Sequence, residues 1–189
     1  MRSPAPHVDT RLTYDDFVHF PDDGDRHELI DGAHYVTPSP DVRHQAIVLR
    51  IVVEIATYLK QHPVGRVFVA PLDVVLSNHD IVEPDVLFVA TDQTEILTEK
   101  NVQGPPALVV EVLSHSTRKR DAQAKRRLFE RTGVREYWLV DPELDTVQVL
   151  RLSADGKLVR VAELSADDDE VLTTPLLPGC AISLRHLFE

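Results

Sequence analysis

One stretch of the chain, residues 107–113, is a continuous apolar run that is broken only by the carboxylate of Glu111. Its length and its valine and leucine content predict a buried β-strand. Because side chains alternate along a strand, Val109, Glu111 and Leu113 share one face of it. An ionised carboxylate in such a place is costly unless a cation or a metal accompanies it. Glu111 is therefore exposed at the strand end, paired with a basic side chain, or part of a functional site.

A second carboxylate, Asp85, leads into another apolar run. It follows Pro84, which has no N–H to give to a sheet, and it precedes the apolar residues 86–89. Two carboxylates set into buried strands favour a shared oxygen site. Such ligands suit Mg²⁺, or Mn²⁺ as the alternative, whereas Zn²⁺ is typically bound by more histidine or cysteine. The backbone carbonyl of Val112 is a further candidate ligand.

Lys125 is the third candidate, and it lies on a predicted helix over residues 117–132 that Gly133 is placed to end. Helical spacing groups it with Asp121 and Leu128, beside the core-facing stripe. Two interpretations remain open. Its side chain extends along the surface into solvent, or it reaches the end of the preceding strand and orients or helps to deprotonate an attacking water.

The formal net charge of −11 argues against broad, non-specific binding of nucleic acid. One short segment is nevertheless basic. Most of its cations are expected to form a solvated helix surface, although the same residues would suit steering of a nucleic-acid backbone. They are Arg118, Lys119, Arg120, Lys125, Arg126, Arg127 and Arg131.

The length of 189 residues suits one domain, expected over residues 13–189 after a disordered tail at 1–12. The apolar runs are too short to span a bilayer, and the first ten residues lack the apolar region of a signal peptide. The single cysteine, Cys180, can form no internal disulfide, which favours a reducing, cytoplasmic location.

The order of predicted elements indicates an α/β fold. Asp31-Gly32 between two β-prone runs predicts an N-terminal hairpin. A central mixed sheet flanked by helices follows from this order. After the hairpin come a helix at 41–61, strands at 66–70, 72–76, 81–90 and 107–113, a helix at 117–132, and strands at 136–140 and 146–152.

An ordered set of motifs resembles the bacterial family called putative restriction endonucleases, within the PD-(D/E)XK nuclease superfamily. The resemblance covers nearly the whole chain from about Thr13. The set at these spacings is specific, although a Pro-Asp pair alone is weak evidence. The motifs are Pro84-Asp85, residues 111–117, Lys125 and residues 136–141, supported by residues 27–32, 38–40 with His44, 69–73, 125–128 and 177–179.

The resemblance implies a restriction-endonuclease-like core of one helix, three antiparallel strands, a helix and a further strand. It implies a metal ion held by Asp85 and Glu111. The superfamily usually has a lysine two residues after the strand carboxylate, where this chain has Leu113. In this family the lysine is supplied from the next helix, and Lys125 matches that place.

Two further positions match the family pattern. Glu28 matches an acidic position that helps to bind metal or substrate, and it is included among the candidate catalytic residues. His44 matches a position on the first helix, where a core histidine is an equally good interpretation. Ala33 and His115 depart from the usual loop residues, and neither is a predicted ligand.

The expected function is Mg²⁺-dependent hydrolysis of nucleic-acid phosphodiesters, with DNA as the expected substrate. A homodimer would suit cleavage of both strands of a duplex, but nothing in the chain requires one. One alternative is a non-catalytic nucleic-acid or protein-interaction module that retains the nuclease fold. Another is a metal-dependent phosphoesterase that acts on small molecules.

Overall fold

The computed structural model describes residues 11–189 of the chain. The helices are α1 (Tyr14–Phe17), α2 (Val42–Gln61), α3 (Arg126–Thr132) and α4 (Leu184–Phe188), with a 3-10 helix at Thr91–Ile96 and a π-helical segment at Arg120–Lys125. The strands are β1 (Arg26–Ile30), β2 (Ala33–Thr37), β3 (Gly65–Val69), β4 (Val74–Ser77), β5 (Asp80–Val82), β6 (Val86–Ala90), β7 (Val102–Gln103), β8 (Leu108–Val112), β9 (Glu136–Asp141), β10 (Thr146–Leu152), β11 (Leu158–Ser165), β12 (Val171–Thr173) and β13 (Ala181–Ser183).

A six-stranded mixed sheet forms the centre of the domain, in the order β11-β10-β9-β8-β6-β3. β3, β6 and β8 pair antiparallel, and β8 pairs parallel with β9. The parallel pair needs a crossover connection, which is provided by the π-helical segment and α3. The predicted core of helix, three antiparallel strands, helix and strand is confirmed as α2, β3, β6, β8, α3 and β9.

A second, five-stranded sheet has the order β2-β1-β5-β4-β7. The prediction of one interrupted strand over residues 81–90 was wrong, because β5 belongs to this second sheet and β6 to the central one. The chain crosses between the sheets at Glu83, Pro84 and Asp85. Pro84 has no backbone N–H to donate to a neighbouring strand. The chain therefore leaves one sheet for the other at a residue that could not make a full set of strand hydrogen bonds. Asp85 therefore lies at the start of β6, beside the second sheet.

The predicted N-terminal hairpin is present as β1 and β2, with Ile30 paired to Ala33 across its turn. Asp31 and Gly32 both have positive φ, at 52° and 72°. This is the type I′ turn, which suits the twist of a two-residue hairpin and which Asp-Gly adopts readily. The hairpin fixes the register of β1, and β1 carries two residues of the site described below.

The central sheet is covered on both faces. One face packs Val86, Phe88 and Val110 against the buried side of α2, with α4 in the same cluster. The other packs Leu87 and Val109 against α3 and the second sheet. Strands buried on both faces read as continuous apolar runs. This explains why the carboxylates that interrupt β8 and precede β6 stand out in the sequence.

The N-terminal tail predicted over residues 1–12 falls mostly outside the described residues, which begin at 11. The backbone N–H of Leu12, which is among the described residues, donates to the carbonyl oxygen of Gly32 at 3.1 Å. Within residues 11–189, no helix combines the length and the apolar character needed to cross a bilayer.

Candidate functional site

Asp85 lies opposite Glu111 when the antiparallel register of β6 and β8, which pairs Val86 with Val110, is continued by one residue. The backbone N–H of Val112 donates to Oδ2 of Asp85 at 2.9 Å. The side chain of Asp85 is only 4% exposed. The register thus brings both predicted carboxylates to one end of neighbouring strands.

Two basic side chains hold Asp85. Nη1 of Arg26 donates to Oδ1 at 2.8 Å, and Nε2 of His44 lies 3.1 Å from Oδ2. Burial raises the pKa of Asp85, but the hydrogen bond from His44 and the charges of His44 and Arg26 outweigh it and bring the value to about 2. Asp85 is therefore ionised at neutral pH.

His44 combines the two interpretations that the sequence left open. It lies on the buried side of α2, whose N-cap Asp41 accepts a hydrogen bond from the His44 backbone N–H at 2.8 Å. Its ring also reaches Asp85, and its Nδ1 atom has no hydrogen-bond partner among the described residues. His44 is thus a buried helix residue that orients a carboxylate of the site.

Lys125 is the cation that accompanies Glu111. Its Nζ atom lies 2.7 Å from Oε1 of Glu111, 2.7 Å from Oε1 of Glu28 and 3.7 Å from Oδ1 of Asp121. The side chain is 2% exposed, so the interpretation in which it extends into solvent was wrong. Burial disfavours the ammonium form, but the three carboxylates more than compensate and raise the pKa of Lys125.

The carboxyl of Glu111 is unlike that of Asp85. Burial raises the pKa of Glu111 well above its ordinary value, and the negative charges of Asp121, Asp85 and Glu28 add to this against the opposing effect of Lys125. Its one hydrogen bond among the described residues is to Lys125, through Oε1. A carboxylate this deficient in positive charge would gain from a second cation beside it.

Glu28 comes from β1 in the second sheet. The backbone N–H of Glu83 donates to its Oε1 at 3.0 Å, and Nη2 of Arg120 lies 3.4 Å from its Oε2. Burial raises the pKa of Glu28, but Lys125 and Arg120 lower it below its ordinary value overall. Glu28 therefore holds the ammonium of Lys125 together with Glu111.

The π-helical segment explains how two cations reach Glu28. Sequence spacing predicted an ordinary α-helix here, in which Arg120 and Lys125 would lie about 140° apart around the axis. The wider π-helical turn, whose hydrogen bonds join residues five apart, brings such residues near to one face. Arg120 and Lys125 both contact Glu28 for this reason. Such segments are rare and frequently mark functional sites.

Four of the five predicted site residues line one cleft of about 450 Å³. Asp85, Glu111, Val112 and Lys125 contribute to its wall, whereas Glu28 lies behind Lys125. Within residues 11–189, no group of three or more His, Cys, Asp or Glu side chains forms a ready-made metal cage. Two carboxylates, a backbone carbonyl and water suit Mg²⁺, which retains several water ligands and needs few protein ones.

The family model Uma2, described as "Putative restriction endonuclease", matches residues 14–185. The chain belongs to this family. A crystal structure described as a putative nuclease belonging to DUF820 from Anabaena variabilis ATCC 29413 has a similar fold, with a TM-score of 0.78. The alignment has 21% sequence identity and covers 94% of this chain and 97% of the Anabaena chain. No curated protein matches the sequence.

Three residues at the site of this Uma2-family chain were not identified as functional from the sequence. Arg26, in the β-prone run before Asp31-Gly32, was not singled out, and Arg120 was noted only as part of a basic segment. Asp121 was noted as a helical neighbour of Lys125, which was the available signal for it. The contacts of Arg26 and Arg120 cross between the two sheets or depend on the π-helical turn, so no local sequence pattern indicates them.

Leu113 is the departure of this Uma2-family chain from the general superfamily pattern. It lines the cleft and is 8% exposed, and it packs in the same buried cluster as Leu128 and Phe129. An apolar residue at this place leaves Glu111 without a cation from its own strand. Lys125, 14 residues from Glu111 in the chain, contacts the carboxylate from the crossover helix instead.

Proposed function

We propose that this protein is a metal-dependent nuclease that hydrolyses the phosphodiester bonds of DNA. The observation that carries the proposal is the convergence of Asp85, Glu111 and Lys125 on one cleft in a chain of the Uma2 family. Two carboxylates beside a buried lysine can hold a cation and present a hydrogen-bond donor to a phosphate. Each of these is needed to stabilise charge in phosphoryl transfer.

The metal site of the proposal consists of the carboxylates of Asp85 and Glu111 with the carbonyl oxygen of Val112. A bound Mg²⁺ ion, or Mn²⁺ in its place, would supply Lewis-acid polarisation of the phosphoryl oxygen and acidify a water. The donor set fits such an ion because it is made of oxygen atoms and because Glu111 lacks compensating positive charge.

The remaining groups orient the reacting atoms. Lys125, charged and surrounded by carboxylates, donates a hydrogen bond that orients the attacking water and stabilises negative charge on the phosphate. Glu28 fixes the position of Lys125. Arg26 and His44 keep Asp85 ionised and in one orientation. Such support is required because a small misplacement of a catalytic group costs a large factor in rate.

The deciding experiment is a plasmid-nicking assay of the purified wild-type protein with Mg²⁺, with Mn²⁺ and with EDTA. We expect nicking that requires the metal and that is lost in Asp85→Ala. Asp92→Ala is a matched control, because Asp92 is an exposed carboxylate paired with Arg135 outside the cleft. Metal-dependent nicking of the plasmid by the wild type and by this control, but not by Asp85→Ala, supports the proposal.

Three results would oppose this function. Absence of cleavage of any DNA or RNA, with no stabilisation of the protein by metal, would rule out the nuclease proposal. DNA binding without cleavage would favour the non-catalytic module. Metal-dependent hydrolysis of a small phosphodiester by a protein that does not bind DNA would favour the small-molecule phosphoesterase.

A further inference from the structure

The basic segment at residues 118–131 is mostly committed to contacts within the protein. Five of its seven cations have partners: Arg118 with Asp141 and Glu143, Arg120 with Glu28 and Thr37, Lys125 with Glu111 and Glu28, Arg126 with the carbonyl of Leu158, and Arg131 with Asp31 and Asp80. The other two, Lys119 and Arg127, are exposed and have no partner among the described residues.

Lys119 and Arg127 lie on one face of the helical segment. They are separated from each other by two steps of four residues, with the exposed side chain of Gln123 between them.

These three side chains line a depression of about 460 Å³. We call it the cationic depression, and its full lining is Tyr35, Val36, Ser116, Lys119, Arg120, Gln123, Ala124 and Arg127. The guanidinium of Arg120 lies over the ring of Tyr35, 5.6 Å from its centroid. No acidic side chain contributes to this lining, although the chain as a whole has a net charge of −11.

The cationic depression adjoins the catalytic cleft. Ser116 and Arg120 line both and form a shared rim between them. A polymer that crossed the cleft could therefore continue into the depression over this rim. A small substrate confined to the cleft would not reach Lys119 or Arg127, which line only the depression.

We propose that the cationic depression binds the phosphate backbone of the DNA strand that flanks the scissile bond. Lys119 and Arg127 would pair with phosphates, and Gln123 and Ser116 would donate hydrogen bonds to phosphate oxygens. Contacts of this kind position a nucleic acid without reading its sequence. The identity of the strand rests on the proposed nuclease function, whereas binding to the depression is independent of catalysis.

The test measures the binding of a short, fluorescently labelled DNA duplex by fluorescence anisotropy. Ca²⁺ replaces Mg²⁺, and the measurement is repeated across a series of salt concentrations. The variant is Lys119→Ala with Arg127→Ala. The matched control is Arg66→Ala with Lys100→Ala, which removes the same charge from two exposed cations outside the depression. Because all four side chains are exposed, both variants should melt within a few degrees of the wild type.

We expect the depression variant to bind about ten-fold more weakly, and its salt slope to fall by about two, one for each phosphate contact removed. The control should change neither value beyond the small effect of net charge. Equal losses in the two variants would overturn the proposal, as would a wild-type protein that does not bind DNA. Tighter binding of RNA or of an acidic peptide would overturn the assignment to DNA.

Plasmid nicking with Mg²⁺ separates this proposal from the nuclease proposal. If the wild type cleaves DNA and the depression variant keeps its affinity and salt slope, the nuclease function stands and the depression does not bind the strand. If the wild type binds but does not cleave, and the depression variant alone loses affinity, the binding surface stands and the nuclease proposal fails.

Discussion

The Nζ atom of Lys125 lies 2.7 Å from Oε1 of Glu111, so the cation on the crossover helix pairs directly with the carboxylate on the central strand. Both side chains are less than 5% exposed. The pair costs desolvation energy on both sides, and a hydrophobic pair of similar size would serve stability at least as well. Its presence in the core supports the catalytic role that we propose for Lys125.

Lys125→Met should abolish cleavage and also destabilise the protein. The substitution keeps the volume and removes the cation, which leaves Glu28, Glu111 and Asp121 buried together. Breaking a buried pair in this way costs about 3–5 kcal/mol. Urea unfolding at neutral pH measures the loss of stability. Nicking is measured under conditions far from the unfolding midpoint of the variant, so that the protein assayed is folded. Unchanged stability would contradict the buried ion pair, and unchanged nicking would contradict the catalytic role.

Asp85→Asn should remove the stabilisation by metal while leaving most of the fold intact. The amide retains the shape, and its one oxygen can still accept from Arg26 or from the N–H of Val112, but it lacks the charge that a divalent cation needs. The measurement is the shift of the melting temperature with increasing Mg²⁺ or Mn²⁺. We expect an upward shift for the wild type and for Asp92→Asn, and none for Asp85→Asn. An equal shift in Asp85→Asn would place the metal elsewhere.

Moving the lysine to its usual superfamily position should partly rescue a Lys125 variant. Leu113 lines the cleft on the face of β8 that carries Glu111, so a lysine there can reach the same carboxylate. We expect Leu113→Lys combined with Lys125→Met to nick plasmid at least about ten-fold faster than Lys125→Met alone, a difference of about 1.4 kcal/mol in the barrier. Leu113→Met with Lys125→Met is the control, and equal rates for the two double variants would contradict the prediction.

Asp80 should contribute stability that disappears in acid. Its Oδ1 accepts from the backbone N–H of Asp31 at 2.9 Å and from Arg131 at 2.6 Å, and Ser77 donates to Oδ2 at 2.6 Å. Burial raises the pKa of Asp80, but these hydrogen bonds lower it below the ordinary value of 3.8. A carboxyl with a lower pKa in the folded state stabilises that state above its unfolded pKa, and the contribution is lost as the pH falls through the folded pKa.

Asp80→Asn should therefore cost about 2 kcal/mol near neutral pH, a typical value for hydrogen bonds to a charged group. The difference from the wild type should shrink as the pH falls from about 4, where the unfolded state is protonated, through the lower pKa of Asp80 in the folded state. Urea unfolding of both proteins across this pH range measures it. A difference that is constant with pH would show that the charge of Asp80 is not the source of the stability.

The parts of the fold that depend on local pattern were predictable from the sequence. The apolar runs around Glu111 and Asp85 predicted the two central strands, because those strands are buried on both faces. The Asp31-Gly32 pair predicted the hairpin for a conformational reason that is independent of the rest of the chain. The α2 stripe was equally clear, since its buried residues recur at helical spacing.

Features that depend on contacts between distant segments were not predictable in the same way. β4 and β5 are short strands, and nothing local assigns them to a second sheet. The π-helical turn inserts no unusual residue type, so its sequence reads as an ordinary helix. Glu28 was noticed only through the family resemblance, because a glutamate in a hairpin strand is otherwise unremarkable. The roles of Asp85, Glu111, Val112, Lys125 and Glu28 in catalysis remain predictions.

The hairpin strand β1 supplies Arg26 and Glu28, and their partners come much later in the chain. Arg26 pairs with Asp85, 59 residues later, and Glu28 pairs with Arg120 and Lys125. During synthesis β1 emerges first, so the contacts of Glu28 can form only after Lys125 has left the ribosome. A nascent or truncated polypeptide that ends before Lys125 lacks the complete constellation. Under the proposed nuclease function, an unfinished chain would therefore be unable to cut nucleic acid by this site.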